Sequence, residues 1–275
     1  GLRTRGNALI TGLLKGCLDA GVEVWAEAQV KSLTMDASRI SGVIIECQRK
    51  ELEVAVSGGV ILASGGFEWN REMMARHFPG PVEWTASPRT NTGDGQRMAF
   101  EVGANLDRMD QALIMGTSPV YYDGRIQGLP SSDYFLPHSI IVNRSGKRFV
   151  NEKQMNIGLA FAERDSETGH PVHLPAWRIY DGQYATKYPH MMPKASMPNN
   201  RFQAETLEEL AEMIGVKTAG LVETVARFNT FVRAGKDEDF GRGDSVWDTA
   251  RGGDPKNKLN PTLGTIENPP FTAMP

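Results

Sequence analysis

The run Val60-Ile61-Leu62-Ala63 passes without a break into Ser64-Gly65-Gly66-Phe67, and it limits the fold more than any other stretch of this chain. Consecutive apolar residues without alternation predict a strand buried on both faces, as in a parallel sheet covered by helices. The glycine pair that follows leaves backbone without a Cβ, which a planar or phosphate-bearing ligand can approach. Upstream, Asn7 to Ala20 carries Ile10, Leu13, Leu14, Cys17 and Leu18 on one face and stops at Gly21, which predicts a helix with a C′ glycine. Val22 to Ala28 alternates and predicts a strand. Ser41 to Cys47 and Leu52 to Val56 predict two more, completing a small antiparallel meander. Asp94 to Val102 predicts a second helix closed by Gly103, with Asp94 and Thr92 as its N-cap candidates. Thr206 with Glu209 predicts a capping-box start, and Thr218 to Val232 carries Leu221, Val225, Phe228 and Phe231 on a helical face. Helices alternating with strands in this way predict an α/β fold.

After about residue 112 the character changes. Pro119, Pro130, Pro137, Pro171, Pro175, Pro189, Pro193 and Pro198 punctuate loops around short apolar pieces. A length of 275 residues suits one large domain or two ordinary ones. A formal charge of -3 gives no reason to invoke nucleic acid or an anionic membrane. No run approaches the roughly 20 apolar residues that cross a bilayer. Cys17 and Cys47 are too few for a disulfide framework; they read as small buried hydrophobes in a reducing, cytoplasmic compartment. His77, His138, His170, His173 and His190 show no metal-ligand spacing and read as satisfied loop histidines, so no metal is expected. His138 is the exception, because it stands just before an apolar strand that leads into a distinctive turn. Arg242-Gly243-Asp244 sits in a glycine-rich loop and says nothing about adhesion.

That strand is Ser139-Ile140-Ile141-Val142-Asn143; it turns at Arg144-Ser145-Gly146-Lys147 and continues as Arg148-Phe149-Val150-Asn151-Glu152. Together with Ala63-Ser64-Gly65-Gly66 and Thr92-Gly93-Asp94-Gly95, these segments resemble the flavoprotein family of fumarate reductases, succinate dehydrogenases and 3-ketosteroid dehydrogenases. The resemblance implies a FAD cofactor contacted by Ala63, Ser64, Gly65 and Gly66, by Thr92, Gly93, Asp94 and Gly95, and by a main-chain group near Val30. It implies that Asn151 and Glu152 face the flavin and substrate cleft, whereas Arg148 reads as structural. It further implies that residues 1–114 are part of a Rossmann-like FAD-binding domain. Residues 115–250 would then be an inserted α+β cap, and 251–275 a truncated return to the FAD domain. The family's Gly-x-Gly-x-x-Gly fingerprint is absent; the nearest match, Gly93-Asp94-Gly95-Gln96-Arg97-Met98, lacks the third glycine. The chain is therefore read as the middle of a longer flavoenzyme that alone binds FAD weakly or not at all.

Within the family, the choice of substrate turns on charge. Where fumarate reductases carry a proton-delivering arginine, this chain has Lys153-Gln154-Met155-Asn156. Phe240-Gly241-Arg242-Gly243-Asp244-Ser245, Asn260-Pro261 and Leu263-to-Phe271 resemble 3-ketosteroid dehydrogenases instead. The implied reaction removes two hydrogens from adjacent carbons beside the carbonyl of an apolar ketone, the redox step being carried by the flavin. Thr272 and Asn156 stand where that group has tyrosines, so Thr272, Asn156, Tyr134 and His138 are the catalytic candidates, with Tyr121 and Tyr122 as further phenols. Reduction of an unsaturated acid is the alternative reaction, and a catalytically silent fragment or binding module the alternative class. The electron acceptor is not specified.

Overall fold

The computed structural model describes residues 5–78, 82, 84–122, 124–130, 134–189 and 201–275. In chain order the elements are α1 (Arg5–Asp19), β1 (Ala28–Asp36), β2 (Arg39–Cys47), β3 (Lys50–Ala55), α2 (Arg71–His77), α3 (Asp94–Glu101), β4 (Thr117–Tyr122), β5 (Arg125–Pro130) and β6 (Ser139–Asn143). There follow α4 (Gly158–Phe161), β7 (Ala176–Tyr180), α5 (Gly182–Lys187), β8 (Phe202–Ala204), α6 (Leu207–Ile214), α7 (Thr218–Ala234), α8 (Val246–Ala250) and β9 (Phe271–Met274). The fold is mixed α/β. By contact the chain divides into two compact units, one of residues 1–67 and 91–107, the other of 68–90 and 108–275. Residues 251–275 thus lie in the same unit as 108–250. No helix among the described residues is long and apolar enough to cross a membrane.

In the first unit, β1, β2 and β3 form an antiparallel meander, but the strand expected over Val22 to Ala28 is not formed; β1 starts at Ala28 and runs over residues where no strand was expected. Val22 belongs to the cap of α1: its N–H reaches Cys17 O at 2.9 Å, while that of Gly21 (φ 77) reaches Leu18 O at 3.0 Å. Glu27, at φ 53, then turns the chain before β1 can start. The predicted strand over Val60 to Ala63 is not formed. Gly59 (φ 126) redirects the backbone after β3, and no described strand pairs with the segment, which leaves Ile61 92% exposed. Its continuous apolar character reports a wish for burial that this chain does not satisfy. The same holds for α1, whose Leu9, Ile10, Leu13, Leu14 and Leu18 are all exposed. Cys17, on that helix, is exposed as well, against the expectation of a buried hydrophobe.

The second unit is built on the sheet β6-β7-β9-β8, and its pairings are antiparallel. All pairings among the described strands of the chain are antiparallel, so the parallel sheet expected from Val60 to Ala63 is not seen. The doubly buried strand is β6 instead, buried at every position. Ile140 and Val142 face a core shared with Leu210, Leu221, Val225 and Phe228 of α6 and α7. Ile141 faces a second core with Tyr134, Val150, Tyr180, Tyr184 and Met274. Thr206 caps α6 by accepting from the Glu209 N–H at 3.2 Å, as its sequence predicts. His77 ends the helix α2 rather than lying in a loop. His190, Pro193, Pro198 and the side chain of Tyr122 lie outside the described residues.

Candidate functional site

In the first unit the two small-residue motifs come together. The N–H of Gly93 donates to Gly66 O at 3.0 Å, and the Gln96 amide donates to Gly65 O at 3.1 Å. The motifs pack closely, and the left-handed backbone at Gly65 favours glycine there. A Cβ on Gly95 would sit 2.6 Å from Ser64 Oγ, and one on Gly65 (φ 90) would sit 2.5 Å from Asn91 Oδ1. Neither Asp94 nor Thr92 caps α3. Gly93 occupies the N-cap in the left-handed region without a side-chain cap, while Thr92 Oγ1 donates to Asp94 Oδ1 at 3.1 Å. The first turn of α3 therefore offers N–H groups beside a carboxylate. That pairing favours hydroxyl groups, which donate to Asp94 and accept from N–H, over phosphate, which Asp94 repels. Ala63, Ser64, Gly65 and Thr92 are exposed, and Gly93 and Gly95 are buried beneath them. Val30 stands beside an irregularity in the β1–β2 register. The carbonyl of the next residue, Lys31, accepts from Arg97 of α3 at 3.2 Å, which ties Val30 to the same neighbourhood. These residues fit the sugar-bearing part of a dinucleotide.

In the second unit the Gly146-to-Glu152 segment is built into the interior. Glu152 has no exposed surface. Its carboxylate accepts from Arg148 at 2.8 and 3.0 Å, from Arg242 at 3.2 Å and from the Ile141 N–H at 3.1 Å. Arg148 also donates to both oxygens of Asp237, at 3.0 and 2.9 Å, with its guanidinium over the rings of Phe228 and Phe240. Burial alone would raise the Glu152 carboxyl, but the guanidinium groups of Arg148 and Arg242 outweigh it and hold it below the usual range. Asp237 is likewise lowered, burial being outweighed by its bonds to Arg148. Arg148 is thus structural, as expected, while Glu152 is sealed in the same cluster rather than presented to a ligand. Asn151 donates to Asp248 at 3.0 Å, and Asp248 also accepts from the Gly243 N–H at 2.9 Å. Arg242, wholly buried, leaves Arg242-Gly243-Asp244 unfit for adhesion.

The four catalytic candidates also lie in this unit, and each is committed to the protein's own structure. Asn156 accepts from the N–H groups of Ile114 (3.1 Å) and Gly158 (3.2 Å) and donates to Ala112 O at 2.8 Å, so its amide clamps backbone. Thr272 is 1% exposed within β9. Tyr134 is buried, its ring against Gly116 and edge-on to Phe135, rather than half-buried as a loop tyrosine would be; Tyr121 is exposed. His138 is buried, with Nδ1 2.7 Å from Thr265 O and Nε2 2.9 Å from Lys187 Nζ. Lys153, named only for its place in the motif, is buried against Phe135 and bonded to the carbonyls of Arg251 and Gly252; burial pushes its pKa down to about 8. Sequence reasoning missed Asp237, Asp248, Asp181, Lys187 and Asp254. Each comes from a distant loop or helix end, and nothing local distinguishes it from a surface charge. Among the described residues, no group of three or more His, Cys, Asp or Glu could hold a metal ion.

The chain belongs to the family described as FAD binding domain, which matches residues 2–274, and FAD is the cofactor of that family. It is 37% identical to the 3-oxosteroid 1-dehydrogenase of Mycobacterium tuberculosis, over 97% of this chain and 50% of that protein. It is 34% identical to the 4-oxocyclohexanecarboxylate 2-dehydrogenase of Sinomonas cyclohexanicum, over 100% of this chain and 50% of that protein. Its fold matches the crystal structure of 3-ketosteroid delta1-dehydrogenase from Sterolibacterium denitrificans in complex with 1,4-androstadiene-3,17-dione, with a TM-score of 0.85 and 32% identity. That match covers 99% of this chain and 51% of the other. The chain thus spans about half the length of the curated relatives it matches.

Proposed function

We propose that the protein is a FAD-dependent oxidoreductase that introduces a double bond beside the carbonyl of an apolar ring ketone. The match in fold and sequence to a steroid dehydrogenase over nearly the whole chain supports this reading. The two curated relatives named above both act, by their names, on a ketone in a ring. When bound, FAD would supply the redox step. Ala63, Ser64, Gly65 and Thr92, with the first turn of α3, would hold its hydroxyl-bearing part. Asn156 would position backbone and take no proton. A cytoplasmic location is part of the same proposal.

The Lys153-to-Asn156 segment disfavours a dicarboxylate substrate, since the amide of Asn156 is spent on backbone and the Lys153 ammonium is buried on the carbonyls of Arg251 and Gly252. The test is a spectrophotometric assay of the protein in excess FAD with an electron-accepting dye. The dye should bleach with a 3-ketosteroid saturated at the ring bond and not with succinate. Oxidation of succinate, or reduction of fumarate by the reduced protein, at comparable rates would sink the assignment. FAD titrated into residues 1–275 alone should bind weakly, because the chain carries no Gly-x-Gly-x-x-Gly turn for the pyrophosphate.

A further inference from the structure

His138 is held in a protonation state that acid must disrupt. It is 5% exposed and adopts φ 67, a left-handed conformation uncommon for a residue with a side chain. Gly264 lies against its ring so closely that a Cβ there would approach Cε1 to 2.8 Å. Nδ1 faces the carbonyl of Thr265, which can only accept, so Nδ1 carries the proton. Nε2 faces the ammonium of Lys187, which can only donate, so Nε2 is bare. We propose that the His138–Lys187 contact is a proton-operated latch, joining the turn before β6 to the C-terminal end of α5 and opening in acid. A proton on Nε2 would set N–H against N–H and place an imidazolium beside an ammonium.

The surroundings do not rescue the charged form. Lys187 acts on His138 from α5, Asp181 from the N-cap before that helix, and Asp254 from the loop after α8. Asp254 is already engaged by Lys187 at 2.9 Å. Asp181 is committed to the Gln183 N–H at 3.0 Å and to the N–H groups of Glu267 and Asn268 at 3.0 and 2.9 Å. Two more cations lie along the same turn: Arg178 donates to Ser139 Oγ, and Arg242 to the carbonyls of Phe135 and Leu136. Burial, the largest influence, lowers the imidazole below its ordinary 6.5; the Thr265 carbonyl opposes this, Lys187 adds to it, and the carboxylates of Asp181 and Asp254 oppose it more weakly. Because the folded value is the lower one, the latch contributes fully above 6.5 and is lost as pH falls through that lowered value. This inference stands whether or not the protein is a dehydrogenase.

The test is histidine and backbone NMR of the 275-residue chain between neutral and mildly acid pH. His138 should show the Nδ1–H tautomer at neutral pH. Its titration should coincide with shifts in the amides of residues 135–138 and 184–188. In Lys187→Met the midpoint should rise by roughly half a pH unit or more, because a like charge has been removed. In His138→Asn, which tolerates a left-handed backbone, the coupled amide shifts should vanish while the fold is kept. An Nε2–H tautomer at neutral pH, an unmoved midpoint in Lys187→Met, or amide shifts that persist in His138→Asn would each overturn the latch.

Discussion

Among single residues, the charges buried around Arg148 have the largest consequences. Two guanidinium groups and two carboxylates, from Arg148, Glu152, Asp237 and Arg242, neutralise one another out of water. Such a set adds little net stability over a well-packed apolar core, but removing one member leaves another without its counter-ion. Glu152→Gln should cost about 3–5 kcal/mol in urea unfolding; a loss below about 1 kcal/mol would show that the charges are not mutually dependent. The carboxylates here are held below their ordinary values, so their contribution is complete above about 4.5, the usual glutamate value, and is lost as acid reaches the lowered folded one. The Gly146-to-Glu152 motif was legible because it is contiguous. Its meaning was not, since Asp237, Arg242 and Asp248 arrive from far along the chain and only the fold brings them near. The same limit explains Asn156, whose amide reads as a vacant catalytic position until Ala112 and Ile114 are seen against it.

At the level of elements, the turn after β6 and the start of α7 approach more closely than side chains allow. A Cβ on Gly146 (φ 72) would lie 2.3 Å from Leu221 N, and one on Gly220 would lie 2.0 Å from Ser145 O. Those neighbours are backbone and cannot swing aside. Gly220→Ala should therefore cost at least about 3 kcal/mol, the upper end for overpacking. Gly12→Ala and Gly16→Ala, on the open surface of α1, should stabilise by about 0.5–1 kcal/mol. Thermal unfolding of the three variants checks both signs, and equal behaviour would refute the packing argument. Helix ends were readable because capping is local: Gly21, Gly103 and Thr206 mark them with their own backbone or hydroxyl. Strands were read less well. Alternation in Val22 to Ala28 and continuity in Val60 to Ala63 record which faces favour burial, and a strand exists only where a neighbour supplies the pairing. Ser139 to Asn143 has that neighbour on β7.

For the molecule as a whole, the two units differ in how far they satisfy their own apolar surface. The second encloses two cores around its sheet. The first leaves Leu9, Ile10, Leu13, Leu18, Val24 and Ile61 at 53% exposure or more. Exposed apolar area of this kind binds amphiphilic dyes and promotes association. The isolated chain should enhance the fluorescence of such a dye, and Leu9→Lys with Leu13→Lys should reduce the signal. A dye-silent, monodisperse chain would count against the exposed face. The alternation of helices and strands was legible at this scale, and so were β2 and β3 of the small antiparallel meander; the pairing of distant strands was not. That pairing bears on how the protein is made. β9 enters the sheet between β7 and β8, pairing Tyr180 with Thr272 and Ala204 with Phe271. The β6–β7 pair and β8 are synthesised before the strand that links them, so β8 cannot join the sheet until β9 has left the ribosome. Nascent chains stopped before residue 271 should remain protease-sensitive around β8, and chains extended far enough past Met274 for β9 to leave the ribosome should become resistant there.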